Sequence, residues 1–193
     1  MVIKMLVYFI RHGESETNVK GVYAGQYDAH LTEKGISQAE ALRKKLCGVR
    51  FDRVYSSDLS RATDTARTAL PGVDFTTDAR LREISVGSLA GKVAREFRAN
   101  NPDKLEALRA RDFTEFGGEC EGDVMHRLAE FLAELSALRL DTVALFCHGG
   151  VICAALGYAL GIELPHFKVA QPNCMVSVFE LDEDYFGLVS WNI

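Results

Sequence analysis

No Cys-x-x-Cys pair occurs among the five cysteines, Cys47, Cys120, Cys147, Cys153 and Cys174. An odd set without paired spacing excludes a disulfide framework and gives no support to a structural zinc site. Two of these cysteines lie in apolar runs, where a free thiol is a small core residue. A reducing cytoplasm is the expected compartment. Positive charge is also in deficit: 22 Lys and Arg stand against 27 Asp and Glu, for a net charge of −5. That balance speaks against nucleic acid or an anionic membrane as a partner, while leaving room for a local basic pocket. Repeats, low-complexity tracts and flexible linkers are missing as well. With 48% hydrophobic and 25% charged residues, the chain is excluded from the collagen, disordered and disulfide-miniprotein classes. The apolar opening MVIKMLVYFI runs straight into RHGE with no small-residue cleavage site, so it reads as a buried strand and not a signal peptide. The most membrane-like stretch, Val143 to Leu160, contains His148, Gly149 and Gly150, poor residues for mid-bilayer. A buried strand followed by a core helix is expected there.

A length of 193 residues predicts one domain covering 1–193, large enough for a substantial core. Strand and helix patterns alternate along it. Met5 to Ile10 is an apolar run of strand length. Thr32 is placed to cap a helix with the stripe Ile36, Ala39, Leu42 and Leu46, stopped by Gly48. A short strand is expected at Arg53 to Tyr55, then a helix from about Asp58 carrying Leu59, Ala62, Ala66 and Ala69, and a weak strand at Val73 to Thr76. The charged segment from about Gly91 to Glu121, broken at Asn101-Pro102, reads as a small helical cap. Val124, Leu128, Phe131, Leu135 and Leu138 recur at helical spacing. A strand at Thr142 to Cys147, a helix at Val151 to Leu160 and two strands around the acidic turn Asp182 to Asp184 complete the chain. The fold class predicted is α/β: three layers, α/β/α, on a mostly parallel central sheet, with the last hairpin adding an antiparallel edge.

Three strand-to-helix junctions end in groups suited to an anion. The first strand leads into Arg11, His12 and Gly13; the second, through Ser56, Ser57 and Asp58, to Arg61; the third to His148, Gly149 and Gly150. In a parallel sheet all three fall at the carboxyl edge, where such folds bind ligands, and helix N-termini there add backbone N–H groups. Two arginines, two imidazoles and those amides make a phosphate pocket.

The motifs extend well beyond those junctions. R-H-G-E-S-E-T-N at Arg11 to Asn18, L-T-E-K-G-I-S-Q-A at Leu31 to Ala39 and S-S-D-L-S-R-A-T-D-T-A at Ser56 to Ala66 are joined by three more. These are L-R-E-I-S-V-G-S-L-A-G at Leu81 to Gly91, G-G-E at Gly117 to Glu119 and H-G-G at His148 to Gly150. In content and order the set resembles the histidine phosphatase superfamily, also called phosphoglycerate mutase-like. The resemblance implies that His12 is the nucleophile that becomes phosphohistidine and that Glu83 is the proton donor. It further implies that Arg11, Asn18, Arg61 and His148 hold the phosphoryl group. The run Y-x-G-x-x-D at Tyr23 to Asp28 resembles the alpha-ribazole phosphatase branch, which makes Tyr23, Gly25 and Gln26 candidates for substrate binding. The chain departs from the family pattern at His30, Leu89, Ala90 and Cys120.

The activity this implies is metal-independent hydrolysis of a small phosphorylated metabolite, alpha-ribazole phosphate being one candidate. No metal and no cofactor are called for, and a homodimer is compatible with the resemblance. For Glu83 to serve as the acid, its pocket is expected to raise its pKa. Two rival readings stand beside this one: a cofactor-dependent phosphoglycerate mutase, set back because family mutases are expected to be longer, and a silent member that only binds phosphorylated ligands. His30, His126 and His166 are expected to be plain surface or helix-face residues, and Cys147 a packing thiol.

Overall fold

The structure is a computed structural model that describes residues 4–162 and 169–193. Six strands form one sheet in the order β3-β2-β4-β1-β5-β6, where β1 is Met5–Arg11, β2 Arg53–Ser56, β3 Thr76–Thr77, β4 Thr142–Cys147, β5 Val176–Leu181 and β6 Phe186–Ser190. The first four run parallel; β5 and β6 are antiparallel to their neighbours. The apolar runs at β1 and β4 belong to strands buried on both faces, the usual condition of a parallel sheet.

Strand alternation divides those runs between two cores. Met5, Val7 and Phe9 of β1, with Val143, Leu145 and Cys147 of β4, face α6 (Glu121–Ser136) and α7 (Gly149–Leu160). Ile10, Ala144 and Phe146 point the other way, onto α2 (Glu33–Lys45) and α3 (Ser60–Ala69). Each Leu, Val or Phe fully buried in this way contributes roughly 1.5–3 kcal/mol of transfer free energy. The α/β/α layering expected from the sequence is the layering observed, and Val143 to Leu160 is a strand and a core helix. No helix among the described residues is long and apolar enough to cross a membrane.

Several boundaries differ from expectation. The α2 stripe is Gly35, Ala39 and Leu42, and Ile36 is 44% exposed. Leu138 falls beyond the end of α6 and is exposed. The weak strand lies at Thr76–Thr77, paired with the end of β2, and not at Val73 to Thr76. A one-turn helix, α1 (Glu16–Lys20), begins within the first motif, where no helix was expected. Too short to show a period, it is held by reciprocal capping between Ser15 and Asn18.

Between Gly91 and Glu121 lie α4 (Ala94–Asn100) and α5 (Leu105–Arg109), separated by a 3₁₀ turn at Pro102–Lys104. Tyr23 meets Phe97 and Phe113 edge to face, and Phe97 meets Phe116 in the same way. Such pairs add about 0.5–1.5 kcal/mol beyond their burial. That aromatic cluster fixes the segment against the body of the fold.

Candidate active site

The carboxyl ends of β1, β4 and β2 are adjacent in the sheet, with Arg11 opposite Cys147 and Ser56 opposite Phe146. His12, Ser57 and His148 are the next residues of the three strands, so sheet register brings the three strand-to-helix junctions together. The His12 and His148 ring centroids are 5.1 Å apart. Both side chains are buried, as is Arg61 at 1% exposure.

His12 is oriented by its own neighbour. Its Nδ1 lies 2.7 Å from the Gly13 carbonyl oxygen, which can only accept, so Nδ1 carries the proton and Nε2 keeps a lone pair. Its backbone is pinned as well: the amide donates to the Cys147 carbonyl at 3.0 Å, and Asn173 Nδ2 donates to its carbonyl at 2.9 Å. Burial, followed by the charges of Arg61 and Arg11, holds the imidazole well below its ordinary pKa, and His12 is neutral at pH 7. His148 is held neutral by burial and the same arginines. Its Nε2 lies 2.9 Å from Ser57 Oγ.

The two guanidiniums are anchored by backbone oxygens. Arg61 donates from Nη1 to the Tyr27 carbonyl and from Nη2 to the Gly25 carbonyl, both at 2.8 Å. Arg11 donates from Nη1 to the Gln171 carbonyl, and its buried Nε finds no partner among the described residues. Burial lowers both pKa values, yet an arginine stays charged at any working pH. Neutral carbonyls fix each fork without cancelling its charge, which leaves two cations beside His12 for an anion.

Glu83 enters from the loop after a 3₁₀ turn at Ala79–Leu81. The Gly150 amide donates to its Oε2 at 3.2 Å and the Ile84 amide to its Oε1 at 2.9 Å. Arg111, from the segment after α5, stands 3.5 Å from Oε1. Burial pushes the Glu83 pKa up, but Arg111, the two amides and Arg61 outweigh it and hold the carboxyl below its ordinary value. The expectation of a raised pKa is therefore corrected: the groups around Glu83 favour its carboxylate form.

The remaining expected residues divide. Asn18 Oδ1 accepts from the Ser15 amide and from Asn173 Nδ2, so Asn18 reaches the His12 backbone through one intermediary. Gln26 Nε2 donates to the Glu83 carbonyl at 3.3 Å. Tyr23 is buried in the aromatic cluster, with its hydroxyl accepting from Arg98 Nε at 3.0 Å. Gly25 and Gln26 thus contact Arg61 and Glu83, whereas Tyr23 contacts the segment between Gly91 and Glu121. His30 and His126 are exposed, beside Asp64 and Glu130, and His166 lies outside the described residues. The Cys147 thiol is buried and pushed far up in pKa, which suits packing.

Asn173, Arg111 and Glu121 were not legible beforehand. Glu121, at the start of α6, reads as a charge favoured by the helix dipole, and Arg111 sits in a charge-rich stretch where nothing marks it out.

Comparisons with known proteins bear on the family and the fold. The profile of the histidine phosphatase superfamily (branch 1) matches residues 7–193. An adenosylcobalamin/alpha-ribazole phosphatase of Salmonella typhi is 32% identical over 176 residues, covering 86% of this chain and 87% of that protein. A 2,3-bisphosphoglycerate-dependent phosphoglycerate mutase of Thermoplasma acidophilum is 43% identical over 181 residues, covering 92% and 88%. A protein carrying that name is therefore little longer than this chain, and the expectation that length sets mutases apart does not stand. The solved structure of Bacillus stearothermophilus YhfR superimposes with a TM-score of 0.89 at 28% identity, covering 97% of this chain and 96% of that one. With the profile spanning nearly the whole sequence, the chain belongs to the histidine phosphatase superfamily, branch 1.

Proposed function

We propose that the protein hydrolyses a small phosphomonoester through a phosphohistidine at His12. The observation that carries this reading is the 2.7 Å contact of His12 Nδ1 with the Gly13 carbonyl, which leaves Nε2 unprotonated beside the guanidiniums of buried Arg61 and half-buried Arg11. A neutral imidazole with a fixed lone pair is a competent nucleophile at pH 7. Nε2 attacks phosphorus in line, the ester P–O bond breaks, and the departing oxygen takes a proton from Glu83. Water then gives a proton back to Glu83 and attacks phosphorus, the N–P bond breaks, and inorganic phosphate leaves. Arg11, Arg61 and His148 stabilise the charge on the equatorial oxygens. Glu83 gains the proton it needs because a bound phosphoryl dianion offsets the guanidiniums that otherwise hold it ionised. Asn18, Gly25 and Gln26 support the pocket, Gly25 by holding Arg61.

The finer reading is hydrolysis of an alpha-ribazole-type nucleotide monophosphate, supported by the relative of that name and by the Tyr23 to Asp28 run. A second reading is a phosphoglycerate mutase, favoured by the 43% identity to a mutase of similar length. One pair of assays separates them: release of phosphate from p-nitrophenyl phosphate and alpha-ribazole phosphate, and isomerisation of 3-phosphoglycerate with and without 2,3-bisphosphoglycerate. Phosphate release without isomerisation supports the hydrolase. Isomerisation faster than hydrolysis replaces it with the mutase, and silence in both assays replaces it with a binding role.

A further inference from the structure

Arg111 has no part in the chemistry above, yet its place in the fold is unusual. It lies two residues beyond α5 with φ 55°, a left-handed conformation that side-chain-bearing residues rarely adopt. Its guanidinium stands between two carboxylates from different elements. Nη2 is 3.5 Å from Glu83 Oε1, and Nε is 3.0 Å from Glu121 Oε2 at the first turn of α6. Glu121 is 9% exposed, and neither of its oxygens has a hydrogen bond of good geometry among the described residues. A methyl group added at Gly150 would collide with both Glu83 Oε1 and Arg111 Nη2, so the start of α7 closes this group from the third side.

We propose that Arg111 and Glu121 are a positioning pair that sets the protonation of Glu83, Arg111 favouring the carboxylate and Glu121 moderating it. The proposal rests on the assignment of Glu83 as acid and base. Among the described residues, the other ionisable groups coupled to Glu83 include Arg61 from α3, Arg11 from β1, Cys147 from β4 and Cys153 from α7. Both thiols are pushed up by burial, Cys153 to about 11, and stay neutral, while Arg11 and Arg61 stay charged. None of these groups changes charge over the range in which Glu83 titrates. Glu121 does: burial raises its pKa, Arg111 lowers it and Glu83 raises it. One guanidinium is thus shared by two carboxylates that compete for it. Delivered by the cap segment, it makes the cap's seating a condition for the acid–base group.

The two partners act on Glu83 with opposite sign, which a merely structural role does not do. The measurement is the rate of phosphoenzyme breakdown after a pH jump, because that step needs Glu83 as a carboxylate and His12 is already phosphorylated. The phosphoryl charge also brings Glu83 into an accessible pH range. Arg111→Gln should move the acid limb of that rate up by about 1 to 3 pH units, the effect of losing an opposite charge at this distance. Arg111→Lys should bring it most of the way back, and Glu121→Gln should move it down by about half a unit to one unit. Circular dichroism and thermal melts establish that each variant is folded. If Arg111→Gln does not fold, Glu121→Gln and Arg111→Lys decide alone. An unmoved limb, or shifts of the same sign in the Arg111→Gln and Glu121→Gln variants, overturns the positioning pair. A wild-type limb that survives Glu83→Gln overturns the assignment of Glu83 itself and the pair with it.

Discussion

Gly13 and Gly35 meet backbone to backbone. A methyl group added to Gly13 would come within 2.5 Å of the Gly35 carbonyl oxygen, and one added to Gly35 would collide with the Glu14 carbonyl. The approach explains why the R-H-G and L-T-E-K-G motifs each carry a glycine. The first turn of α2, capped by Thr32 accepting from the Gly35 amide at 3.0 Å, is laid directly on the loop that orients His12. The Gly13 amide donates to Thr65 Oγ1 on α3 at 2.9 Å, so two helices hold the loop.

Gly35→Ala is expected to cost about 1–3 kcal/mol, because the clash is with backbone that cannot rotate away. For a chain of this length that lowers Tm by roughly 3–10 °C. Activity should fall as well, since the Gly13 carbonyl that sets the His12 tautomer moves with the loop. Differential scanning calorimetry beside kcat measurement checks both, and a wild-type Tm would show that the loops are not in contact.

Acid should destabilise the protein through its buried imidazoles. His12 and His148 are held well below 6.5 in the folded state and titrate near 6.5 when unfolded. Below that pH the unfolded chain binds more protons, so the stability each neutral imidazole contributes is present above 6.5 and is lost as pH falls below it. Once pH is well under 6.5, Tm should drop by roughly 3–5 °C per pH unit for each histidine. His148→Gln should flatten the profile. A Tm independent of pH from 7.5 to 5.5 would contradict burial of the pair.

Much of this was legible before the fold was seen, for physical reasons. Continuous apolar runs announce β1 and β4 because those strands are covered on both faces, and the charged ends of such runs mark the sheet edge where anions bind. Legibility ends where tertiary packing overrides local pattern. Ile36 obeys helical spacing, but the close approach at Gly35 rotates the buried face of α2 toward that glycine. The Glu83 pKa was expected to rise because the acid role asks for it; Arg111 lies 28 positions away in the sequence, and only the path of the segment from Gly91 to Glu121 brings that cation beside the carboxylate.

Arg11→Ala and Arg61→Ala should each lower kcat by about 10²-fold or more while changing KM less, because a fixed donor gains most when phosphoryl charge rearranges in the transition state. Arg61→Lys should not rescue, since a single ammonium cannot hold both the Tyr27 and Gly25 carbonyls and still face the anion. Near-wild-type kcat in either alanine variant would place the pocket elsewhere.

EDTA should leave turnover unchanged, since guanidiniums supply the positive charge that a divalent ion provides in metal-dependent phosphatases. Inhibition reversed by added magnesium or zinc would sink this expectation.

Glu83 should govern how the rate depends on the leaving group. An alkoxide leaves poorly unless it is protonated as the P–O bond breaks, whereas p-nitrophenolate leaves without help. Glu83→Gln keeps a side chain of the same size between the Gly150 amide and Arg111 but cannot deliver the proton. Hydrolysis of alkyl phosphates should therefore fall by about 10²- to 10⁴-fold, the usual contribution of a general acid. Transfer of phosphate from p-nitrophenyl phosphate to His12 should survive comparatively well. The second step still needs a base for water, so phosphoenzyme should accumulate and appear as a stoichiometric burst of nitrophenol. His12→Ala should abolish burst and turnover together, because His148, the other imidazole in the pocket, has its Nε2 engaged by Ser57. Rapid-quench kinetics can count protein-bound phosphate that is labile in acid and stable in base. Acid-stable phosphate, as on a serine, or full activity in His12→Ala, would overturn the mechanism.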